Sequence, residues 1–289
     1  MKKNVLLVVN PIAGGLDKAD LVATVEQFAD QKKVRLVVFE TTGSKDCAQI
    51  SKLYHEHKPE RILVAGGDGT IKIVAEAVEH HDVPLGILPA GSANGLSVDL
   101  DLPKSLDENL AIAFRDRFMD MDMVCINGKK SLHLSDLGLN AQLVKNYEAS
   151  DTRGMLGYAL QAITTLNEQD PPFHAKIDTD GCIIECEARM IVIANSQKYG
   201  TGVTINPNGR MNDGKFEIII LKNTDLITIG KIVAGNMPLD TDDVEIITAE
   251  KATINTSVPV HFQIDGEYVG EETNLHIHVL HRQMRVAVP

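Results

Sequence analysis

Between residue 4 and about residue 118, short unbroken apolar runs alternate with stretches whose apolar residues recur every three or four positions. An unbroken run of strand length suits a strand covered on both faces, and the three-to-four spacing suits a helix with one buried face. Residues 4–10, 34–39, 61–65 and 84–88 therefore read as four buried strands. Residues 17–31, with Leu21, Val25 and Phe28 at helical spacing, and residues 45–57 read as helices. Ser105, followed three residues later by Glu108, is a capping-box signature that predicts a helix to about Arg115. Strands alternating with helices in this order predict a parallel, doubly wound sheet.

The pattern changes after Met119. Residues 119–126, the turn pair Asn127-Gly128 and residues 131–137 predict a β-hairpin. Past a helical pattern at 158–167, strand-like runs dominate at 173–177, 182–187, 189–194, 216–221, 252–256, 260–264 and 275–280. That half reads as a mostly antiparallel sandwich. The fold class is thus α/β plus β. An N-terminal doubly wound α/β domain over residues 1–118 is followed by an antiparallel β-sandwich domain over residues 119–289. The last strand is a candidate to return to the first domain, and a cleft is expected where the two abut. A length of 289 residues agrees with two domains of roughly 150 residues each.

Composition narrows the function classes. With 44% hydrophobic and 24% charged residues, the chain is set apart from disordered, collagen-like and coiled-coil proteins. Asp plus Glu number 40 against 28 Lys plus Arg, a net charge of -12. Nucleic-acid binding rests on clustered basic charge, so no nucleic-acid partner is expected, and an anionic membrane would not attract the chain as a whole. No apolar run approaches the roughly 20 residues of a membrane-spanning helix. Met1-Lys2-Lys3-Asn4 leads directly into a strand rather than an export signal. Four cysteines without a CxxC pair point to a reducing cytoplasm as the compartment.

Three glycine-containing turns carry most of the chemical information. The first strand ends in Asn10-Pro11-Ile12-Ala13-Gly14-Gly15, the third in Gly66-Gly67-Asp68-Gly69-Thr70, and the fourth in Pro89-Ala90-Gly91-Ser92-Ala93-Asn94-Gly95. In an open α/β sheet all three lie at the carboxyl ends of the strands, where ligands bind. Glycine lets backbone N–H groups approach a phosphate, and the following helix N-terminus adds partial positive charge. Asp68 among these glycines suits Mg²⁺ coordination or acceptance of a proton from an attacking hydroxyl. Tight closure of βα units explains one such turn equally well; three on one edge, one bearing an acid, favour a common site.

These turns, together with Asp136-Leu137-Gly138-Leu139-Asn140-Ala141, Asn206-Pro207, Asn212-Asp213-Gly214 and Ile264-Asp265-Gly266-Glu267, form an ordered set across essentially the whole chain. The set resembles the diacylglycerol kinase catalytic-domain superfamily, which contains bacterial lipid kinases, sphingosine kinases and ceramide kinases. The resemblance implies an ATP-dependent lipid kinase with ATP in the cleft. It implies that Thr41 touches the nucleotide, that Gly66, Gly67, Asp68, Gly69 and Thr70 bind its phosphates, and that Ser92 adds a hydroxyl contact. Asn10, Gly91 and Asn94 belong to the same nucleotide-binding turns. Asp213, with the main-chain carbonyls of Arg210 and Lys215, would bind a structural Mg²⁺. Glu267 is the candidate general base toward a diacylglycerol-like lipid hydroxyl, and Asp68 is the competing candidate. The partner implied is a lipid substrate met by transient contact with the inner membrane face; self-association is left open.

Four positions, in three motifs, depart from the family pattern. Lys72 and Ile73 stand where Asn-Glu is usual, Gly95 where an Asp is frequent, and Asn140 where an Asp is usual. A different acceptor or a shifted metal arrangement would follow. Two other readings stay open: a soluble NAD kinase, which shares the Gly-Gly-Asp-Gly-Thr turn, and a nucleotide- or lipid-binding regulator whose catalysis has decayed. His276 and His278 share a strand face, but without a third ligand they make a poor metal site. Cys182 and Cys186, and Met119, Met121 and Met123, read as packing residues.

Overall fold

Val5, Leu6, Leu7, Val8 and Val9 carry no polar side chain, and all five are buried in the first strand, β1 (Asn4–Val9). A strand buried without alternation must be covered on both faces. The computed structural model describes residues 3–15, 17–92, 94–149, 171–199, 202–223 and 242–289. After β1 come α1 (Ala19–Gln31), β2 (Arg35–Glu40), α2 (Asp46–His57), β3 (Arg61–Gly66), α3 (Asp68–Ala77), β4 (Pro84–Pro89), the short α4 (Gly95–Asp99) and α5 (Leu106–Ala113). The strands pair in parallel in the order β4-β3-β1-β2, with Leu7 standing between Leu63 and Val38. Leu7, Leu63 and Leu88 pack with Val25 and Ala29 of α1 and Leu110 and Ala113 of α5 in one core. The capping residue of α5 is Ser105, whose Oγ accepts the Glu108 N–H at 3.4 Å. Strand order reverses between β1 and β3, which makes their carboxyl ends the ligand-binding position of this architecture.

β5 (Phe118–Ile126) begins in this unit and continues into a second one, Asp122–His281, whereas the first unit comprises Met1–Met121 and Arg282–Pro289. The second unit adds β6 (Lys129–Ser131), β7 (Leu134–Gly138), α6 (Leu139–Ala149), β8 (Phe173–Thr179), β9 (Cys182–Ala188), β10 (Met190–Ala194), β11 (Phe216–Leu221), β12 (Val244–Ala249), β13 (Lys251–Ile264) and the start of β14 (Glu267–Ala287). Its strands run antiparallel in the order β12-β11-β10-β7-β13. The N-terminal part of β13 pairs with β8, and β8 with β9. A register shift between Asn255 and Val260 lets this single strand serve both pairings. Phe216, Ile218, Ile220, Phe262 and Ile264 pack against Phe173, Ile177, Ile254 and Ile277. The end of β14 belongs to the first unit, where Arg285 and Val286 pair in parallel with Pro84 and Leu85.

The doubly wound half and the antiparallel sandwich half agree with the sequence pattern; several elements differ in extent. Asn127 and Gly128 do make a tight turn, both at positive φ, but the hairpin ends at Ser131 and β7 pairs with β10 and β13 instead. Residues 252–256 and 260–264 are one strand, and β14 is 21 residues long rather than the six expected at 275–280. The five-residue α4 is too short to show periodicity. The helix expected at 158–167 lies outside the described residues. Met121 and Met123 are core residues, whereas Cys182 is exposed. Among the described residues no helix is long and apolar enough to cross a membrane.

Helix α5 lies directly on β4 at Gly86, where an added Cβ would stand 2.4 Å from the Ala113 Cβ and 3.0 Å from the Leu63 Cδ2. Gly86→Ala should destabilise the first unit by about 1–3 kcal/mol, read as a lower urea midpoint, because a packed interface cannot absorb the methyl. An unchanged midpoint would contradict this contact.

Candidate active site

The three glycine turns meet. At the close of β3 and of β4 the two backbones touch: a Cβ on Gly91 would lie 2.6 Å from the Gly67 Cα and 2.8 Å from the Asn94 Oδ1. The first turn joins them through Gly14, at φ +62, where a Cβ would lie 2.7 Å from the Ala90 carbonyl oxygen. Only a residue without a side chain tolerates both that φ and that approach. Asn10 donates to the Thr70 Oγ1 at 3.2 Å and accepts the Ile12 N–H on its own Oδ1. Asn94, in the left-handed region at φ +54, closes a ring with Gly91: its Nδ2 donates to the Gly91 carbonyl and its Oδ1 accepts the Gly91 N–H, both at 2.8 Å.

Asp68 ties the second turn to the third. Its Oδ2 accepts the Gly95 N–H at 2.7 Å and its Oδ1 the Leu96 N–H at 3.0 Å. These N–H groups open α4, where helix termini leave donors unsatisfied. The acid in the glycine turn is therefore a brace. Gly66 is packed against the Thr70 side chain, Gly69 is exposed in the first turn of α3, and Ser92 is exposed in the third turn. Thr41 follows β2 and donates its N–H to the Val9 carbonyl at 2.8 Å. Its loop is held by Asp46, which accepts the Thr42 and Gly43 N–H groups. The Thr42 hydrogen bond, outweighing burial, keeps the Asp46 carboxyl below its ordinary value. Neither Asp46 nor the buried Lys18 stands out in the sequence, since each is an unremarkable polar residue beside a helix start. The edge thus gathers backbone donors and the N-terminus of α3, an arrangement suited to a phosphate chain.

In the second unit, the turn from β13 to β14 has Asp265 at φ +50 and Gly266 at φ +85, the signature of a tight two-residue hairpin. Asp265 is consumed by structure: it accepts from Ser131 Oγ, Leu132 N–H and His133 N–H at 2.8–3.0 Å. Glu267, the next acid, is exposed. Gln263 accepts the Gly266 N–H at 2.7 Å and donates to Asp136 Oδ2 at 2.5 Å. Asp136 also accepts from Asn140 at 2.7 Å and from the Tyr199 hydroxyl at 3.1 Å. A carboxylate therefore stands beside Asn140, supplied from strand β7 four residues earlier. Burial raises the Asp136 carboxyl to about 6, partly opposed by the hydrogen bonds from Gln263, Asn140 and Tyr199.

The segment carrying Arg210, Asp213 and Lys215 is pinned by a buried acid, Asp122. This residue accepts the Gly214 N–H at 2.7 Å, pairs with His281 Nδ1 at 2.8 Å and donates its N–H to the Met211 carbonyl. Asp213 Oδ1 accepts the Lys215 N–H at 3.1 Å. Asn206 is fully buried and donates to Glu217 at 2.6 Å. Among the described residues no group of three or more His, Cys, Asp or Glu is placed to hold a metal ion. A cation at this loop would rest on one carboxylate and main-chain carbonyls, the hard oxygen donors that Mg²⁺ takes.

Comparison with known proteins agrees with this architecture. The diacylglycerol kinase catalytic domain matches residues 4–126, and the YegS C-terminal NAD kinase beta sandwich-like domain matches residues 136–288. The chain belongs to the family of the YegS C-terminal domain, with a diacylglycerol kinase catalytic domain over its N-terminal part. It is 25% identical over 237 residues to the probable lipid kinase YegS of Escherichia coli, covering 79% of this chain and 78% of that one. A Synechocystis protein, sll0036, is 26% identical over 98% of this chain and 70% of its own. The fold superposes on a putative diacylglycerol kinase from Bacillus anthracis with a TM-score of 0.80 at 22% identity, covering 99% and 97% of the two chains.

The Asp136 carboxyl makes stability depend on pH in one direction. An unfolded aspartate titrates near 3.9. Between that value and about 6 the folded chain keeps a proton that the unfolded chain releases, so this group costs stability as pH rises. Asp136→Asn should gain on the wild type by on the order of 1–3 kcal/mol between pH 4 and pH 6.5, read from urea unfolding. A difference independent of pH would show that the carboxyl titrates normally.

Proposed function

We propose that the protein is an ATP-dependent lipid kinase that transfers the γ-phosphoryl group to a hydroxyl of a diacylglycerol-like or related lipid. The observation that carries the reading is the junction of three glycine turns at the carboxyl ends of β1, β3 and β4, locked by Asp68. Such an edge is where an open α/β sheet binds its ligand, and it lies within the residues that match the diacylglycerol kinase catalytic domain. Phosphoryl transfer asks a protein for alignment, charge neutralisation and a base near the acceptor, with little covalent chemistry. The turns align the phosphates through backbone N–H groups, with Thr41 and Ser92 on the same nucleotide. Glu267 takes the proton as the acceptor oxygen bonds to the γ-phosphorus and the bond to the β–γ bridging oxygen breaks, releasing ADP. Asp68, with both oxygens engaged by Gly95 and Leu96, is suited to holding the turn rather than to proton transfer. Asp213 and the carbonyls of Arg210 and Lys215 would hold a structural Mg²⁺ that fixes their own loop. The lipid acceptor brings the protein into transient contact with a membrane surface from the cytoplasmic side.

The NAD kinase-like description of the sandwich domain supports a second reading, phosphorylation of NAD. Purified protein with γ-labelled ATP and Mg²⁺ should label a lipid in a total lipid extract and leave NAD unlabelled. Label in NAD alone would establish the second reading, and label in neither would refute both. Glu267→Gln should lower kcat by about 10²- to 10⁴-fold with ATP affinity kept, as expected for loss of a general base. Asp68→Asn should weaken ATP affinity and thermal stability together. The reverse pattern would move the base to Asp68.

A further inference from the structure

We propose that Gln263 is a positioning residue for Glu267, holding the hairpin turn that carries this acid, a role that rests on the reading of Glu267 as the base. Gln263 lies near the end of β13, two residues before Asp265, and is only 1% exposed. In the sheet it stands opposite Asp136 of β7, which is fully buried. Its Oε1 accepts the Gly266 N–H at 2.7 Å, and its Nε2 donates to Asp136 Oδ2 at 2.5 Å. Glu267 follows Gly266 directly. The partners fix the orientation of the amide. A main-chain N–H can only donate, so the Gln263 oxygen faces Gly266 and the nitrogen faces the carboxylate. A leucine at this position would serve neither partner, and a glutamate would set one carboxylate against another.

The turn is held more firmly than a reversal of the chain requires. In a two-residue hairpin the two central residues lie outside the ladder, and at a surface their N–H groups are left to water. Here the protein takes both: the Leu134 carbonyl accepts the Asp265 N–H at 3.0 Å, and Gln263 accepts the Gly266 N–H. The three donors on the Asp265 carboxylate fix the first of these residues. Gln263 fixes the second, the one joined to Glu267.

This grip is made at the expense of the core. Asp136 lies opposite Val192 and two residues from Leu134, both members of an apolar cluster, so an acid and an amide occupy a face that alternation otherwise gives to apolar side chains. Burial lifts the Asp136 carboxyl to about 6, so the acid weakens the fold at neutral pH. A buried polar pair that lowers stability and grips the peptide before an exposed acid is accounted for by what it positions. A catalytic group must stay within about 0.5 Å of its working place, and a loosened turn is therefore read in turnover.

The test is a double-mutant cycle on the full chain, with γ-labelled ATP, Mg²⁺ and vesicles of total lipid extract near neutral pH, following label in lipid. Gln263→Leu is expected to lower turnover at saturating ATP about tenfold or more, with KM for ATP changed by less than about threefold. In a Glu267→Gln background the same change is expected to cost less than about threefold, because the group that Gln263 positions is gone. Gln263→Glu keeps the size of the side chain and an acceptor for Gly266 but opposes Asp136. It too should lower turnover, and adding Asp136→Asn, which returns a donor to that bond, should restore most of the loss. These two variants decide the question if Gln263→Leu does not fold. Wild-type turnover in either Gln263 variant, an equal loss in both Glu267 backgrounds, or no rescue by Asp136→Asn would overturn the proposal while leaving the kinase reading intact. Full activity in Glu267→Gln would place the base elsewhere and overturn it as well. A wild type that labels no lipid would defeat the kinase reading itself.

Discussion

Two hydrogen bonds from the start of α4 to the Asp68 carboxylate govern the geometry of the first unit's functional edge. Without them the second and third turns keep the Gly67–Gly91 backbone contact and the Ala90 N–H bond to the Gly66 carbonyl, but two donors at a helix terminus lose their acceptor. With them, the carboxyl ends of β3 and β4 form one rigid ledge, to which Asn10 and Gly14 attach the end of β1. A ledge of fixed backbone donors costs no reorganisation when a phosphate chain arrives, which is the condition under which such donors are most effective. Glycine at these positions is a steric requirement of the contact as well as an invitation to the ligand.

The second unit uses carboxylates in the same manner. Asp265 takes three donors at the tip of the β13–β14 hairpin, and Asp122 takes Gly214 and His281 beside the Arg210-to-Lys215 segment. Asp136 completes a chain from Tyr199 through Gln263 to the Gly266 N–H. Acids that look alike in the sequence therefore divide into two kinds. Asp265 and Asp122 hold turns in shape through several donors each, whereas Glu267, which follows the braced turn, is exposed. That division is what supports the proposal that Glu267, rather than a braced acid, takes the proton.

Much of the fold was legible because β1, β3 and β4 are buried on both faces and so appear as unbroken apolar runs, while α1 and α2 keep one wet face. The glycine turns were legible as a group because each follows such a strand. What the sequence hid depends on tertiary pairing. Whether residues 252–256 and 260–264 are one strand or two is decided by which partners, β8 or β7, lie alongside. The length of β14 is set the same way, by partners in two successive units. At the site, Asp68 reads in the sequence as an acid among glycines, and its bonds to Gly95 and Leu96 appear only once α4 is placed beside it. Asp136 opens the motif that runs to Ala141, but the hydrogen bond it accepts from Asn140 emerges only from the fold.

The central claim is that the three turns form a single anion-binding ledge. Amide hydrogen exchange with and without a non-hydrolysable ATP analogue tests it directly, since bound phosphate protects the N–H groups that hold it. The account expects simultaneous protection of residues 10–15, 66–71 and 90–96, with the remainder of the first unit little changed. Protection confined to one of these segments, or found only in the second unit, would contradict it.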